Sequence, residues 1–242
     1  MRTVYLTDGT PEGFYTAVFD GYADPNAYLS SEKKLQTKLG DVVIAVAADA
    51  QKAARVVRKL RRTDYLALRD IDRILRAPDP DREQTAFGYI RLLVKQSGAV
   101  RGMLSEDVVR RAQDISQAVG YEVHRLTGFL RFHETASGAY YSPCSPDNDI
   151  VDLLMPHFIK RFAGTPFVIH DVKRKLAGVY DGKIWLVAPA GKAEVLFSER
   201  EDAFLSLWKQ YYKTTYIPAR KNIQQMDRYM PVRYRKFMTE TE

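Results

Sequence analysis

The sequence predicts an α+β fold, in which a helical middle leads into a small, mostly antiparallel sheet in the C-terminal half. Between Asp49 and Leu126, apolar residues recur every three to four positions, which is the period of an amphipathic helix. After Gly128, short β-prone runs alternate with turn signals. We therefore expect a mainly helical N-terminal lobe over residues 1–127 and an α+β lobe over residues 128–242.

The N-terminal lobe begins with a β-prone run from Thr3 to Leu6. Thr10 and Pro11 then have the form of an N-cap followed by proline at the first helical position, which predicts a helix over residues 11–22. A second β-prone run, residues 42–47, precedes Asp49, a favourable N-cap. The apolar spacing predicts four more helices, at residues 49–62, 64–77, 81–96 and 105–126.

The C-terminal lobe contains the β-prone runs 129–132, 139–142 and 167–169, with a predicted helix over 147–163 between the last two. The dipeptide Asp181-Gly182 separates residues 176–180 from residues 184–187, which predicts a β-hairpin. A final helix is predicted from residue 201 to about residue 213, followed by a loop-rich basic tail.

Composition limits the class of protein. The chain has 242 residues and a formal net charge of +7, an excess that permits an anionic partner. Cys144 is the only cysteine, which excludes an intramolecular disulfide and a zinc site built on several cysteines. No apolar run approaches the roughly 18 residues of a membrane span, and the N-terminus lacks the apolar core of a signal peptide. We expect a soluble, cytoplasmic protein without a membrane partner.

The positive charge is concentrated in residues 209–236, which contain eight Lys and Arg residues and one acidic residue, Asp227. Five tyrosines are interleaved with these cations. Cationic side chains neutralise phosphates and release counterions, and tyrosine rings offer flat faces to unpaired bases. The composition favours a nucleic-acid interface, for which we select Tyr212, Arg220, Lys221, Arg233, Tyr234 and Arg235. The alternative is a solvated tail whose tyrosines pack on the core.

A second basic run lies on the helix predicted over residues 49–62. Arg55, Arg58 and Arg62 share one face of this helix because they are three and four positions apart. The opposite face is apolar, with Val56, Val57 and Leu60 among its residues. We interpret this run as a solvent-exposed stripe, because most charge runs on helices are solvated.

Few residues form a recognisable catalytic pattern. His170 and Asp171 end a predicted strand, a suitable place for a general base or a phosphate clamp, although we favour a loop ion cluster as their explanation. The aspartates near residue 147 lack the glycine and the distal glutamate of a calcium loop. No phosphate-binding loop, dinucleotide-binding glycine motif or serine-hydrolase motif is present. We expect neither a metal nor a cofactor.

Six segments, in order, resemble a bacterial family known as probable DNA-metabolism proteins, a domain of unknown function. They are TDGTPEGFYTAVFDGY, GFLRFHE, PDNDIVDLLMPHFIKRF, IHDVKRKLAGVYDG, LWKQYYKTTYIPARKN and MPVRYRKFMTE. The positions that match the recurring pattern of the family are Asp8, Gly9, Arg131, Phe132, Asp149, Phe158, Arg161, Phe162, Asp171, Asp181, Gly182, Trp208, Tyr212, Arg220, Pro231, Tyr234 and Glu240. This chain has Tyr234-Arg235 where the family usually has Tyr-Trp.

The resemblance implies a role in DNA repair or modification. Members of the family are encoded beside a radical-SAM protein thought to modify or repair DNA, and a related domain is fused to a uracil-DNA-glycosylase-like domain. This chain resembles the stand-alone form. The resemblance implies DNA and a radical-SAM protein as partners, but it carries over no catalytic residue.

Three functions remain open at this point. The first is a DNA-binding accessory factor that presents damaged or modified DNA, single-stranded or duplex, to a partner enzyme. The second is an enzyme of the glycosylase or nuclease type, whose first candidate residues are Asp8, Arg131, His170 and Asp171. The third is a protein-interaction module whose basic tail binds an acidic partner without contacting nucleic acid.

Overall fold

The computed structural model describes residues 2–32, 35–98, 100–191 and 194–239. The chain divides into two compact units, residues 1–120 and 121–242. Strands and helices occur in both units, and the larger sheet lies in the C-terminal half, which confirms the α+β prediction.

The first unit contains a three-stranded parallel sheet and several helices. Its elements are β1 (Thr3–Leu6), α1 (Pro11–Gly21), β2 (Ala27–Ser30), β3 (Val42–Ala45), α2 (Ala50–Thr63), α3 (Tyr65–Arg76), α4 (Arg82–Lys95) and the first part of α5 (Asp107–Phe129). The strand order is β2-β1-β3, with β1 parallel to both neighbours. The sequence did not predict β2, because its four residues are too few to show a period and three of them are buried.

Local capping signals determine where these helices begin. The Thr10 side chain accepts a hydrogen bond from the Gly13 N–H at 3.0 Å, and Pro11 is the first residue of α1. Asp49 and Asp64 cap α2 and α3 in the same way. The helices pack on the sheet through a core that includes Leu29 and Phe87, both fully buried. These predicted boundaries are confirmed to within about two residues.

The second unit is built on a mixed five-stranded sheet. Its elements are the end of α5, β4 (His133–Glu134), β5 (Tyr140–Cys144), α6 (Val151–Phe162), β6 (Phe167–Asp171), β7 (Leu176–Tyr180), β8 (Trp185–Pro189), α7 (Glu199–Thr215), α8 (Ile223–Tyr229) and α9 (Val232–Arg235). The strand order is β4-β5-β6-β7-β8. Only the β5–β6 pair is parallel, so the prediction of a mostly antiparallel sheet is confirmed.

The hairpin predicted at Asp181-Gly182 joins β7 to β8. Gly182 has a φ of +100°, a conformation that favours glycine, and Asp181 Oδ1 accepts hydrogen bonds from the Lys183 and Ile184 backbone N–H groups, both at 2.8 Å. Helix α6 packs on this sheet at Gly178, where a Cβ atom would lie 2.5 Å from the Met155 sulfur. The hairpin and the close contact with α6 fix one side of the sheet, whose other edge is β4.

Two local predictions for the second unit are wrong. Residues 129–132 do not form a strand, because α5 continues to Phe129 and the strand begins at His133. Phe132 instead packs edge-on among phenylalanines of α6 and β6, with its ring 4.7 Å from that of Phe162. The basic tail is also less irregular than predicted, since it contains a 3₁₀ turn at Pro218–Arg220 and the short helices α8 and α9.

Candidate nucleic-acid interface

Helix α7 carries a row of aromatic side chains. Phe204, Trp208 and Tyr212 are four positions apart and follow one ridge of the helix, and Tyr216, four positions further on, is its C-cap residue. Phe204, Tyr212 and Tyr216 are 60%, 38% and 42% exposed. The rings of the two tyrosines are stacked, with centroids 6.4 Å apart and planes at 28°. We call these four residues the aromatic row.

The first turn of α7 attaches this helix to the sheet. Glu201 is buried, and its Oε2 accepts a hydrogen bond from the Glu134 backbone N–H of β4 at 2.8 Å. Its Oε1 lies 2.8 Å from His133 Nδ1. Acidic residues occupy the first turn of α7 and Lys213 the last, which complements the helix dipole. The row therefore projects from a helix whose start is fixed.

Beyond α7 the chain turns back and forms a groove with the end of the row. The groove has a volume of about 620 Å³. Its lining residues are Tyr212, Tyr216, Arg220, Lys221, Asn222, Gln225, Met226, Tyr229 and Arg235. We call it the C-terminal groove. All of these residues are exposed except the half-buried Arg235.

Two cations of the groove are available to a partner. Arg220 and Lys221 are exposed, and within the part of the chain that the structure describes no carboxylate lies at ion-pair distance from either. Asn222 is used partly by the fold, because its side chain caps α8 by accepting a hydrogen bond from the Gln225 N–H at 2.9 Å. The groove thus combines unpaired positive charge with exposed aromatic rings and amide groups.

The other two predicted cations have partners within the protein. Arg233 forms an ion pair with Asp147 at 2.8 Å, and its guanidinium lies over the Tyr234 ring. Arg235 pairs with Asp227 and donates to the Met230 carbonyl. These two arginines stabilise the tail itself, so they have less charge to offer a phosphate than Arg220 and Lys221.

Tyr234 is buried, unlike the tyrosines of the groove. Its side chain is 3% exposed, and its hydroxyl donates to Glu122 at 2.6 Å. Burial, together with this hydrogen bond, raises the pKa of the Tyr234 hydroxyl. The ring lies beside that of Phe129, so its faces are covered and are not offered to bases. We therefore leave Tyr234 out of the interface predicted for it.

Glu122 holds this end of the chain in place. Its two oxygens accept hydrogen bonds from the Asp147 N–H, the Asn148 N–H and the Asn148 side-chain amide, at 2.7 to 2.9 Å, besides the Tyr234 hydroxyl. Glu122 is 3% exposed. A buried carboxylate with this many donors is a structural centre, and sequence analysis did not identify it.

The catalytic candidates of the second unit do not lie in one site. Asp171 is fully buried, and its carboxylate is occupied by the backbone N–H groups of residues 173 and 174 and by the Arg174 guanidinium at 2.9 Å. His170 is buried, with Nδ1 2.7 Å from the Tyr141 hydroxyl. Adjacent residues of a strand point to opposite faces of a sheet, so His170 and Asp171 do not form a dyad. Both have structural partners in β5 and in the β6–β7 turn.

Asp8 belongs to the first unit, where it supports the start of α1. Its carboxylate accepts hydrogen bonds from the Thr10 hydroxyl at 2.7 Å and from the Thr10 N–H at 2.9 Å. The Thr10 hydroxyl, followed by the Thr10 N–H, lowers the pKa of Asp8 below its usual value. This geometry gives Asp8 a capping role in the turn after β1.

Arg131 lines a second cavity of the second unit, with a volume of about 710 Å³. Arg161 at the end of α6 and Arg200 in α7 line the same cavity, and so do His133, the buried Glu201 and the first two rings of the aromatic row. We call this cavity the arginine pocket. Its residues come from α5, β4, β5, α6 and α7, so no local sequence signal could have grouped them. Neither His170 nor Asp171 lines it.

The remaining candidates are structural. Cys144 is 1% exposed, and burial, followed by the nearby carboxylates of Asp171 and Glu122, raises the pKa of its thiol.

Among the described residues, no three His, Cys, Asp or Glu side chains are grouped as metal ligands. On α2, Lys52 pairs with Asp20 at 2.7 Å and Arg55 lies over the Phe19 ring. Within the described ranges, every helix is too short or too polar to span a bilayer.

Together, these features define an α+β protein with an exposed basic and aromatic groove near its C-terminus. The chain belongs to the family described as a domain of unknown function (DUF4130), whose family model matches residues 80–240. The matched range includes the C-terminal groove and the arginine pocket, while the resembling segment at residues 7–22 lies outside it. Comparisons with curated proteins and with solved structures found no match. The link of the family resemblance to DNA metabolism stays a prediction.

Proposed function

We propose that this protein is a DNA-binding accessory factor that holds single-stranded or locally opened DNA for a partner enzyme of DNA repair or modification. The observation that carries the proposal is the C-terminal groove, where Arg220 and Lys221 lie beside the exposed rings of Tyr212 and Tyr216. Cations without internal partners bind phosphates with the most favourable free energy, because no existing ion pair has to be broken.

The aromatic row favours an unpaired strand over an intact duplex. Helical rise places residues four positions apart about 6 Å apart along α7, which is wider than the roughly 3.4 Å step of stacked bases. A strand must therefore be drawn out of regular stacking to set successive bases on successive rings. Unpaired bases can do so, and stacking of this kind tolerates any sequence.

The partner and the cellular role follow from the family resemblance. We propose that the partner is the radical-SAM DNA-modification or repair protein encoded beside members of the resembled family, and that both act in the cytoplasm. The DNA would then lie in the C-terminal groove while the chemistry takes place on the partner. An acidic protein in place of DNA is the competing occupant of the groove, and the experiment below distinguishes the two.

The test is the salt dependence of binding to a fluorescent twelve-nucleotide oligothymidylate, measured by anisotropy. We expect affinity to fall steeply with salt in the wild-type protein. The double variant Arg220→Ala/Lys221→Ala should reduce the slope of log affinity against log salt by about 1.4, the value for two phosphate contacts on a single strand.

A matched control removes two adjacent cations elsewhere. Arg61 and Arg62 are exposed on α2, and among the described residues neither has an ion-pair partner. Their double alanine variant has the same net charge as the groove variant and should keep the wild-type slope. Equal slopes in the two variants, or the absence of oligonucleotide binding by the wild type, would contradict the proposal.

A further inference from the structure

The arginine pocket has the size and the charge of a site for a small anion-bearing ligand. A volume of about 710 Å³ is within the range of pockets that enclose small organic ligands. Three arginines line it, against two carboxylates that are already engaged by the fold. Of these carboxylates, Glu134 accepts from the Ser198 hydroxyl at 3.2 Å and Glu201 is paired with His133.

Two of the three arginines are available for binding. Arg161 and Arg200 are exposed, and in the described part of the chain neither has a carboxylate at ion-pair distance. Arg131 has a different position, because its guanidinium donates to the Gly128 carbonyl at 2.9 Å and is held at the end of α5. Guanidinium groups bind phosphate through paired N–H donors, so this set fits a phosphate group.

The same pocket offers flat apolar surfaces. Phe204 and Trp208 of the aromatic row line it, together with Phe162 from α6 and Tyr140 from β5. Rings of this kind stack on planar, unsaturated groups such as nucleobases. A ligand that uses both features must carry a phosphate and an aromatic ring within a few bonds of each other, which describes a nucleotide.

The walls of the pocket are fixed by hydrogen bonds and ring contacts within the fold. Glu201 connects α7 to β4 through His133 Nδ1 and the Glu134 N–H, both at 2.8 Å. Phe162 is held against Phe132 and Phe167, with ring centroids 4.7 Å and 5.3 Å away. Side chains held in this way present a preformed surface, which reduces the entropy lost on binding.

We propose that the arginine pocket binds a single nucleotide unit, with its phosphate on Arg161 and Arg200 and its base against the rings of Phe204 and Trp208. These two rings also begin the aromatic row, which continues to Tyr212 and Tyr216 in the C-terminal groove. A strand lying along the row would therefore deliver one of its nucleotides, terminal or turned out of the stack, into the pocket. This inference rests on the proposed function, although a free mononucleotide has the same chemistry.

The test compares two ligands and two neighbouring variants by titration calorimetry. The ligands are deoxythymidine monophosphate and an eight-nucleotide oligothymidylate, with thymidine and inorganic phosphate as partial ligands. Arg161→Ala removes a cation of the pocket, and Lys160→Ala removes the preceding exposed cation of α6, which does not line the pocket. Thermal unfolding of both variants checks that the fold is retained.

We expect Arg161→Ala to weaken binding of at least one nucleotide ligand by about tenfold or more, as for a lost charge-assisted hydrogen bond. Lys160→Ala should change it by less than about twofold. A selective loss with the oligonucleotide alone identifies the strand as the source of the nucleotide, and a loss with the monophosphate identifies free nucleotides as well. Both results support nucleotide binding in the arginine pocket. In either case, thymidine and inorganic phosphate should bind more weakly than the nucleotide ligand whose affinity falls.

Equal effects of the two variants on both ligands would overturn the inference. Inorganic phosphate binding as tightly as the nucleotide ligands would also overturn it, because the rings would then contribute nothing. The proposed function is judged separately. If Arg220→Ala/Lys221→Ala lowers oligonucleotide affinity while Arg161→Ala lowers the affinity of neither the oligonucleotide nor the monophosphate, the groove binds DNA and the pocket inference fails.

Discussion

Two regions of the basic C-terminal segment have similar compositions and different environments. The groove region, residues 212–229, has its tyrosines exposed and holds Arg220 without a carboxylate partner among the described residues. The anchor region, residues 232–238, has Tyr234 buried and Arg233 paired with Asp147. The presence of a carboxylate within reach, rather than the density of cations and rings, separates a binding surface from a structural contact.

The carboxylate that makes this difference is distant in sequence. Glu122 lies 112 residues before Tyr234, and its carboxylate accepts a hydrogen bond from the Tyr234 hydroxyl at 2.6 Å. An arginine over a tyrosine ring occurs in both regions, since Arg228 lies over Tyr229 and Arg233 over Tyr234. Of these two pairs, the second also contacts the buried carboxylate of Glu122, and this contact makes it a structural element of the fold.

The largest effect on this comparison is expected from Glu122→Ala. The substitution leaves the N–H groups of Asp147 and Asn148, the Asn148 amide and the Tyr234 hydroxyl without their acceptor. We expect the free energy of unfolding to fall by about 3 kcal/mol or more, because buried donors lose hydrogen bonds to a charged group. Urea unfolding followed by circular dichroism measures it.

The control for this prediction is Glu199→Ala, which removes an exposed carboxylate from the first turn of α7. It should cost less than about 1 kcal/mol, the scale of an exposed charge at a helix terminus. A loss of similar size in the two variants would show that Glu122 does not hold the anchor region and that the comparison between the two regions is unfounded.

The second prediction concerns the rings. Tyr212→Ala should weaken binding to single-stranded DNA by about 1–3 kcal/mol, the range for a lost base-stacking platform, and should leave unfolding unchanged because the ring is 38% exposed. Tyr234→Phe should behave in the opposite way. It removes the hydroxyl that binds Glu122, so it should lower stability by about 1–2 kcal/mol without changing DNA affinity.

Anisotropy and urea unfolding on the same protein preparations measure both quantities. The comparison is broken if Tyr234→Phe weakens DNA binding as strongly as Tyr212→Ala, since a covered ring would then act like an exposed one. A Tyr212→Leu variant separates flat stacking from general apolar contact, because leucine keeps bulk without a ring face.

The sequence predicts those features that depend on residues close together in the chain. The caps at Thr10 and Asp49 and the hairpin at Asp181 depend on neighbouring residues, and their predictions are confirmed. The strand β2 has too few residues to show a period, and it is defined by pairing with β1. Local signals of this kind carry no information about partners far away in the chain.

The candidate site shows the same limit. Tyr234 is buried where its hydroxyl meets the carboxylate of Glu122, and Arg220 is exposed without a carboxylate partner among the described residues. Composition does not reveal which side chains meet a carboxylate in the fold. The contact between His133 and Glu201 joins residues 68 positions apart, and no motif links them. The density of charge and rings predicts an exposed basic surface for the whole segment. The groove region has such a surface, whereas Tyr234 in the anchor region is buried.

The smallest effect is expected for the ion pair between Arg233 and Asp147. Their side chains are 44% and 45% exposed, so solvent screens the attraction and a double-mutant cycle should give a coupling of about 0.5–1 kcal/mol. Raising the salt concentration should reduce this coupling and leave the contribution of the buried Tyr234–Glu122 hydrogen bond nearly constant. In the groove, salt should instead act on DNA affinity through Arg220 and Lys221. A coupling near zero at low salt would mean that Arg233, like Arg220 and Lys221, is available to an external anion. The boundary between the groove region and the anchor region would then lie closer to the C-terminus.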